Sequence, residues 1–199
     1  DDTSIEDAQG VIDKYNLGHF DLIETPKEDI YFERVHNIML VSNKTAVDAM
    51  AIRAEVLGLK TDVISYEMYE PQDQVIKMFT EKEQNGIALL GAGEPKLKID
   101  KPGGSGGRNL YLAMKAIGKF GDGSVFVALA SDGLDNCQAA GAVIDTDLVQ
   151  RLSKSGVNTE EYMSRYDAFN FFDKLGDGMF FTGPTGANVS DIMFLITKR

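Results

Sequence analysis

Three glycine-rich turns in the second half of the chain combine glycine with charged, amide and hydroxyl side chains. The turns read GGSGGRN (103–109), SDGLDNCQAAGA (131–142) and TGPTGANVSD (182–191). Each turn follows or borders an apolar stretch, which is typical of a loop at the end of a buried strand. Because three such turns fall within about 90 residues, they predict one polar site, formed by loops that gather at one edge of a sheet.

The first turn places four glycines before a predicted helix that begins near Arg108. Glycine lets the backbone approach a ligand closely, and a helix N-terminus presents free N–H groups to an anion. Arg108 adds a cation that can bind phosphate or carboxylate through two hydrogen bonds. The pattern predicts phosphate or substrate binding by Gly104, Gly106, Gly107 and Asn109, and catalysis by Arg108. The alternative is a flexible loop with a solvated arginine.

The second turn places Asp132 and Asp135 just beyond a strand predicted at 124–131. Ligands bind at this position in open α/β sheets, and carboxylates there can bind Mg²⁺ or orient a hydroxyl nucleophile. The alternative is an ordinary Asp-Gly turn with a helix cap. Cys137 in the same turn is predicted to be packed rather than nucleophilic, because neither histidine of the chain lies at helical spacing from it.

The third turn resembles an anion-binding nest, with Thr185 and the amide of Gly186 as donors. Asn188 and Asp191 add polar groups, and the alternative is a rigid turn that joins two strands. A further carboxylate, Glu94, directly follows a predicted strand in the run GAGEP. It is either a site carboxylate or a charge on a loop.

Strand patterns alternate with helix patterns along the chain, which predicts an α/β fold with helices layered around a mostly parallel or mixed sheet. The strand at 36–42, the following helix and the strand at 61–65 are predicted to form one β-α-β unit with parallel strands. The predicted helices cover 4–17, 43–57, 71–82, 108–120, 147–154, 159–165 and 168–175. The predicted strands cover 36–42, 61–65, 87–90, 96–100, 124–131, 142–144, 179–182 and 192–197.

The composition narrows the function classes. A net charge of −11 without a basic stripe argues against nucleic acid as a partner, although backbone N–H groups could still hold a small phosphate ligand. The longest apolar runs are too short to cross a bilayer, which argues against a membrane partner. One cysteine excludes an internal disulfide and fits a reducing cytoplasm. The chain opens at Asp1 rather than Met, which indicates a truncated or processed protein.

Five motifs together resemble the C-terminal half of glycerate 2-kinases, the family that carries the MOFRL domain and was historically also described as hydroxypyruvate reductase. In chain order the motifs are GAGEPKLKI, GGSGGRN, SDGLDNCQAAGAVID, EEYMSRYDAFNFF and TGPTGANVSDI. The stretches TSIEDAQGVIDKYNL and VSNKTAVDAMAIRAEVLGLKTDVIS resemble the segment that precedes this domain. The resemblance implies that residues 1–84 end a preceding α/β region and that residues 85–199 form a MOFRL-like α/β domain.

The resemblance implies a cytoplasmic, ATP- and Mg²⁺-dependent enzyme that phosphorylates D-glycerate to 2-phosphoglycerate. Arg108 matches the arginine that is thought to act in catalysis, together with a lysine of the N-terminal domain that has no counterpart in this chain. Asp132 is the second residue expected to act in catalysis, because its carboxylate, or that of Asp135, is expected to bind Mg²⁺ or to orient the glycerate hydroxyl. The resemblance also implies an N-terminal catalytic domain that this chain lacks, so the chain alone is expected to be inactive; a homo-oligomer is a further expectation. The second turn departs from the family pattern at Asn136, Cys137 and Gln138.

Two other functions stay open on the residues alone. The first is a module that binds or senses a small anion without transforming it. The second is an oxidoreductase, which is disfavoured because the turn after the first predicted strand reads SNKTAV and not the G-x-G-x-x-G of dinucleotide-binding folds.

Overall fold

The structure is a computed structural model that describes residues 2–101 and 103–198. The contacts divide the chain into two units, Asp1–Leu40 and Val41–Arg199. The first unit contains helix α1 (Ile5–Tyr15) and a single 3₁₀ turn (Asp29–Tyr31). The Ser4 side chain accepts a hydrogen bond from the backbone of Asp7, and Asp7 bonds back to the Ser4 backbone. This capping box confirms the predicted start of α1.

The predicted strand at 36–42 is wrong. Residues 36–41 have no regular structure and are exposed, with Ile38, Met39 and Leu40 at 77%, 81% and 86% of full exposure. A short apolar run forms a strand only where a neighbouring strand can bond its N–H and C=O groups, and no described strand pairs with this one. The β-α-β unit predicted from it is therefore absent from the described chain.

The second unit is a six-stranded sheet with helices on both faces, which confirms the predicted α/β class. The strands are β1 (Lys60–Met68), β2 (Ile87–Gly93), β3 (Val125–Ala130), β4 (Gly141–Ile144), β5 (Met179–Phe180) and β6 (Asp191–Ile196). Their order in the sheet is β1-β2-β6-β3-β4-β5; among the described strands β1 and β2 are parallel and the other neighbours are antiparallel. The helices are α2 (Asn43–Val56), α3 (Gln72–Lys82), α4 (Arg108–Ala116), α5 (Thr146–Ser155), α6 (Thr159–Ser164) and α7 (Ala168–Leu175).

The predicted strand at 96–100 is also wrong. Lys96 makes one isolated bridge with Pro71, and its N–H donates to the Glu70 carbonyl at 2.9 Å. In KLKID only the Leu97 side chain is partly buried, and the other four residues are exposed. The alternation of polar and apolar residues therefore does not mark a strand with a neighbour along its length. The other predicted helices and strands of this unit are confirmed, apart from shifts at their ends.

The antiparallel placement of β6 decides where the loops meet. β6 lies between β2 and β3, and Asp191 at its start is paired with Gly93 at the end of β2 and with Ala130 at the end of β3. The loops that follow β2 and β3 therefore share one edge of the sheet with the loop that enters β6. The predicted gathering of loops is confirmed, although the third loop enters by the amino end of its strand.

The main core lies between the sheet and helices α3, α4 and α7. Helix α4 is almost wholly buried, so its position is set by packing over several turns. On the opposite face α2 packs through Val47 against Leu90 and Ala92 of β2. Cys137 is half-buried and packs against the main core, and burial raises the pKa of its thiol, as predicted for a packed cysteine. None of the described helices is long and apolar enough to cross a membrane.

Candidate functional site

Arg108 lies where three elements of the sheet edge meet. It is the first residue of α4, and its Nη1 donates to Oε2 of Glu94, directly after β2, at 3.0 Å. Its Nε lies 3.2 Å from Oδ2 of Asp191, the first residue of β6. The side chain of Gln72, which is buried, donates to the Arg108 carbonyl at 2.8 Å. Two carboxylates therefore orient the guanidinium, and the hydrogen bond from Gln72 holds the backbone of Arg108 in place.

Asp191 is a buried carboxylate, with 7% of the residue exposed. Burial raises its pKa from 3.8 to about 6, and the nearby Asp135 and Glu94 act in the same direction, against a hydrogen bond from Asn109 and the charge of Arg108. Its Oδ2 forms the ion pair with Arg108 but no hydrogen bond of good geometry within the described chain. A buried carboxylate oxygen without a well-formed hydrogen bond lowers the stability of the fold. Such a group marks a place where stability is given up for function.

A small polar cleft of about 120 Å³ opens beside this ion-pair cluster. Asp132 lies in its wall; Oδ2 accepts a hydrogen bond from Asn188 at 3.3 Å, and Oδ1 accepts one from the Leu134 N–H at 3.1 Å. All three glycine-rich turns and Glu94 contribute to the lining. The lining consists of Glu94, Arg108, Ala130, Ser131, Asp132, Leu134, Asp135, Asn136, Asn188 and Asp191.

Asp135 holds the start of α4. Its Oδ1 accepts hydrogen bonds from the backbone and side chain of Asn109 at 3.1 and 3.2 Å, and its Oδ2 accepts one from the Leu110 N–H at 2.7 Å. Burial raises the pKa of this carboxyl, and these donors oppose the shift. The helix N-terminus predicted to bind a ligand anion thus already binds a carboxylate of the protein. An added Cβ at Gly107 would overlap the Asp135 side chain, so this glycine makes room for Asp135.

Asp167 holds the other end of the same loop, and the sequence analysis gave it no role. Its Oδ1 accepts a hydrogen bond from the Ser105 N–H at 2.9 Å, and the Gly104 N–H donates to the Arg165 carbonyl at 2.7 Å. An added Cβ at Gly104 would overlap the Asp167 side chain. The pairing joins residues 62 positions apart, so no local pattern could have revealed it.

Thr185 and Gly186 do not line the small polar cleft. The Thr185 hydroxyl donates to the Ser131 carbonyl at 2.7 Å, and the Thr185 N–H donates to the Asp132 carbonyl at 2.9 Å. These bonds fasten the third turn to the end of β3. Anion binding by Thr185 and Gly186 stays a prediction, while Asn188 of the same turn does reach the cleft.

A larger cleft of about 530 Å³ shares Glu94, Arg108 and Asn136 with the small polar cleft. One side of it is the segment 95–99, and another is the glycine loop at Gly106 and Gly107. Tyr69, the residue that follows β1, also lines the cleft. Arg108 therefore stands at the border between two clefts of different size.

Residues 87–191 match the model of the MOFRL family. The chain belongs to the MOFRL family. The matched range includes all three glycine-rich turns, Glu94, Arg108 and Asp191, so the family match covers both clefts except for Tyr69. The resemblance stated from the motifs is thereby confirmed.

Relatives of this MOFRL chain carry glycerate kinase names. The chain is 29% identical to a glycerate 2-kinase of Pyrococcus horikoshii over 98% of its own length and 50% of that protein. It is 37% identical to a glycerate kinase of Danio rerio over 116 residues, which are 54% of this chain and 23% of that protein. The crystal structure of a protein from Pyrococcus horikoshii OT3 superimposes with a TM-score of 0.76 at 27% identity, covering 100% of this chain and 51% of that one. The chain spans about half the length of the Pyrococcus proteins that it matches.

The two carboxylates predicted as magnesium ligands differ in what their oxygens already bind. Both oxygens of Asp135 are buried under α4 and accept three hydrogen bonds, which leaves them poorly placed for an ion. Asp132 is only partly buried and faces the small polar cleft, so it fits as a single ligand. Within residues 2–101 and 103–198 no group of three His, Cys, Asp or Glu side chains could hold a metal.

Proposed function

We propose that the protein containing this MOFRL chain is a glycerate 2-kinase that transfers a phosphoryl group from ATP to the 2-hydroxyl of D-glycerate. The observation that carries the proposal is the position of Arg108, aimed by two carboxylates at the border of a small polar cleft. The names of the relatives support the same reaction. Because the chain spans half of the Pyrococcus protein, we propose that a further domain of the same protein completes the site, with residues 1–84 belonging to the region before the MOFRL domain.

In the proposed reaction, the bond between the terminal phosphorus of ATP and its bridging oxygen breaks, and a bond from that phosphorus to O2 of glycerate forms. The barrier to such a transfer is lowered chiefly by positioning and by neutralising charge on the phosphoryl oxygens. Arg108 presents its guanidinium to those oxygens and exchanges part of its contact with Glu94 for them. Mg²⁺ bound to the nucleotide would neutralise further phosphate charge.

Asp132 is the proposed partner of the acceptor hydroxyl. Its carboxylate faces the small polar cleft, and Asn188 holds one of its oxygens. It orients the 2-hydroxyl of glycerate and takes its proton as the new bond forms. Asp191 and Glu94 act on Arg108, and Asp135 acts on the helix that carries it, so these three residues position the cation rather than contact the reacting atoms.

The proposal is tested by an ATP and D-glycerate assay on the full-length gene product and on this 199-residue chain. We expect activity in the longer protein, and a loss of about 10³-fold in kcat on the change Arg108→Ala, since arginines that stabilise a transferring phosphoryl group have effects of this size. Arg151→Ala is the matched control, because Arg151 pairs with Asp177 and lines neither cleft at Arg108.

Two results would count against the proposal. A loss below about tenfold for Arg108→Ala would remove this residue from the mechanism, since a catalytic cation contributes far more. A folded full-length protein that binds a small anion but leaves glycerate unphosphorylated would favour a non-catalytic binding or regulatory module.

A further inference from the structure

The two clefts that share Arg108 differ in volume and in lining. The small polar cleft, at about 120 Å³, has room only for a small molecule and is lined by polar groups, apart from Ala130 and Leu134. The larger cleft, at about 530 Å³, lies within the range usual for ligand pockets and mixes apolar, aromatic and cationic side chains. Two clefts that meet at one arginine suit a reaction with two substrates of unequal size.

The walls of the larger cleft are held by contacts within the protein. The segment 95–99 is tied to the turn between β1 and α3 by the bond from the Lys96 N–H to the Glu70 carbonyl, and Pro95 is buried. The glycine loop opposite is held by Asp135 at one end and Asp167 at the other. The walls of the cleft are thus held in place by the protein's own hydrogen bonds, as is usual for small-molecule sites.

The cations of this cleft are unusual for so acidic a protein. The chain carries a net charge of −11, yet Lys96 and Lys98 both line the cleft beside Arg108. Neither lysine has an ion-pair partner within 4 Å in the described part of the chain. Unpaired lysines grouped with an arginine suit a ligand with several negative charges.

The apolar part of the lining suits a flat ring. Tyr69 is half-exposed, at 48%, and Ile99 is exposed by 55%. Large apolar side chains left open beside cations offer a surface on which an aromatic base can stack. A polyphosphate alone would need no such surface, and a three-carbon acid could not fill it.

We propose that the larger cleft binds the nucleotide, with its phosphates between Lys96, Lys98 and Arg108 and its base against Tyr69 and Ile99. The acceptor then occupies the small polar cleft, and Arg108 at the shared border contacts the phosphoryl group on its way from one to the other. This assignment rests on the proposed kinase function and adds to it where each substrate lies.

The test uses the full-length gene product and two readouts. The first is calorimetric binding of a non-hydrolysable ATP analogue; the second is the pair of KM values for ATP and D-glycerate. We expect Tyr69→Ala to weaken analogue binding and raise the KM for ATP by about tenfold, the loss typical of one stacked base, while the KM for glycerate stays within twofold. Tyr69→Phe keeps the ring and should keep the affinity. Lys98→Ala should weaken binding severalfold and reduce its dependence on salt.

Lys154→Ala is the matched control, because Lys154 is an exposed lysine at the end of α5 and lines neither cleft. An active enzyme whose KM for ATP is unchanged in Tyr69→Ala and Lys98→Ala would overturn the nucleotide assignment and leave the kinase proposal standing. Analogue binding that depends on Tyr69, in a protein that never phosphorylates glycerate, would support the nucleotide cleft and remove the glycerate kinase proposal.

Discussion

The first and third glycine-rich loops have similar compositions but are held in opposite ways. The first loop (103–107) is clamped by Asp167 and Asp135, and the glycines that face these carboxylates leave no room for a side chain. The third loop (182–186) is tied by Thr185 to the end of β3, and added Cβ atoms at Gly183 and Gly186 would meet open space. The same residue type thus serves tight packing in one loop and backbone conformation in the other.

This difference assigns the two loops different tasks in the site. The clamped loop leads directly into α4, so its rigidity passes to Arg108 at the helix start. The open loop leads into β6, and it delivers Asn188 to the small polar cleft and Asp191 to the guanidinium. The first loop thus fixes the position of the cation, and the third loop fixes the positions of the amide and the carboxylate that face it.

The change Gly107→Ala should have the largest effect on stability. The new methyl group would overlap the Asp135 side chain, and expelling that carboxylate would leave buried backbone donors of α4 without an acceptor. We expect the free energy of unfolding to fall by about 3–5 kcal/mol in urea titrations.

Gly121→Ala is the control for this prediction. A Cβ there lies 3.4 Å from Glu83 Oε1, an ordinary contact, and should change stability by no more than about 0.5 kcal/mol. Wild-type stability in Gly107→Ala would mean that Asp135 does not clamp the first loop.

The change Asp191→Asn should raise stability in a manner that depends on pH. The fold raises the pKa of Asp191 to about 6, so it disfavours the ionised form, and the wild-type protein loses stability as the pH rises from about 4 through 6. The asparagine variant lacks this loss and should be more stable by up to about 3 kcal/mol at pH 7.5, with little difference at pH 4.

The same variant should lose activity in the full-length protein, because Arg108 loses one of the two carboxylates that aim it. Unfolding free energies at both pH values, with kcat measured alongside, check the prediction. An equal gain in stability at pH 4 and pH 7.5 would attribute the effect to packing and not to the charge of Asp191.

The change Gly186→Ala should have the smallest effect of the three. Its backbone φ is +77° and nothing lies near its added Cβ, so the cost comes only from the left-handed conformation, about 1–2 kcal/mol. Gly186→Asn should recover part of this cost, because asparagine tolerates the conformation better. Equal stabilities for the two variants would show that the φ value does not limit this position.

Much of the element order in the second unit could be predicted from short-range patterns. The cap at Ser42 precedes α2, Pro71 precedes α3, and the apolar run before Ser131 is β3, as expected. The two predicted strands that failed, at 36–42 and 96–100, have suitable residues but no partner strand along their length. The spacing of apolar residues in a segment indicates which side chains could be buried. Whether the segment forms a strand depends on whether another strand lies beside it.

The candidate site, like the fold, could be predicted from the sequence only in part. The residue types and spacing of the three turns were sufficient to predict one polar site with Arg108, Asp132 and Asn188 in it, because Asp132 and Asn188 lie near strand ends, and Arg108 at a helix start, that the sequence reveals. The catalytic and binding roles of these residues stay predictions until the variants are measured.

The sequence by itself determined the α/β class, the family and most helices and strands, since those depend on periods, caps and motifs within a few residues. Only the tertiary structure decided that Asp135 fills the helix N-terminus offered to a ligand, that Asp167 clamps the first loop, and that Asp191 is buried against Arg108. The pairing of Asp135 with the Leu110 N–H joins residues that are 25 positions apart, and that of Asp167 with the Ser105 N–H joins residues 62 apart. Arg108 and Asp191 are 83 positions apart. The contact of Asp191 arises from the strand order, in which β6 lies between β2 and β3, and the contacts of Asp135 and Asp167 arise from the packing around α4; no local pattern encodes either arrangement.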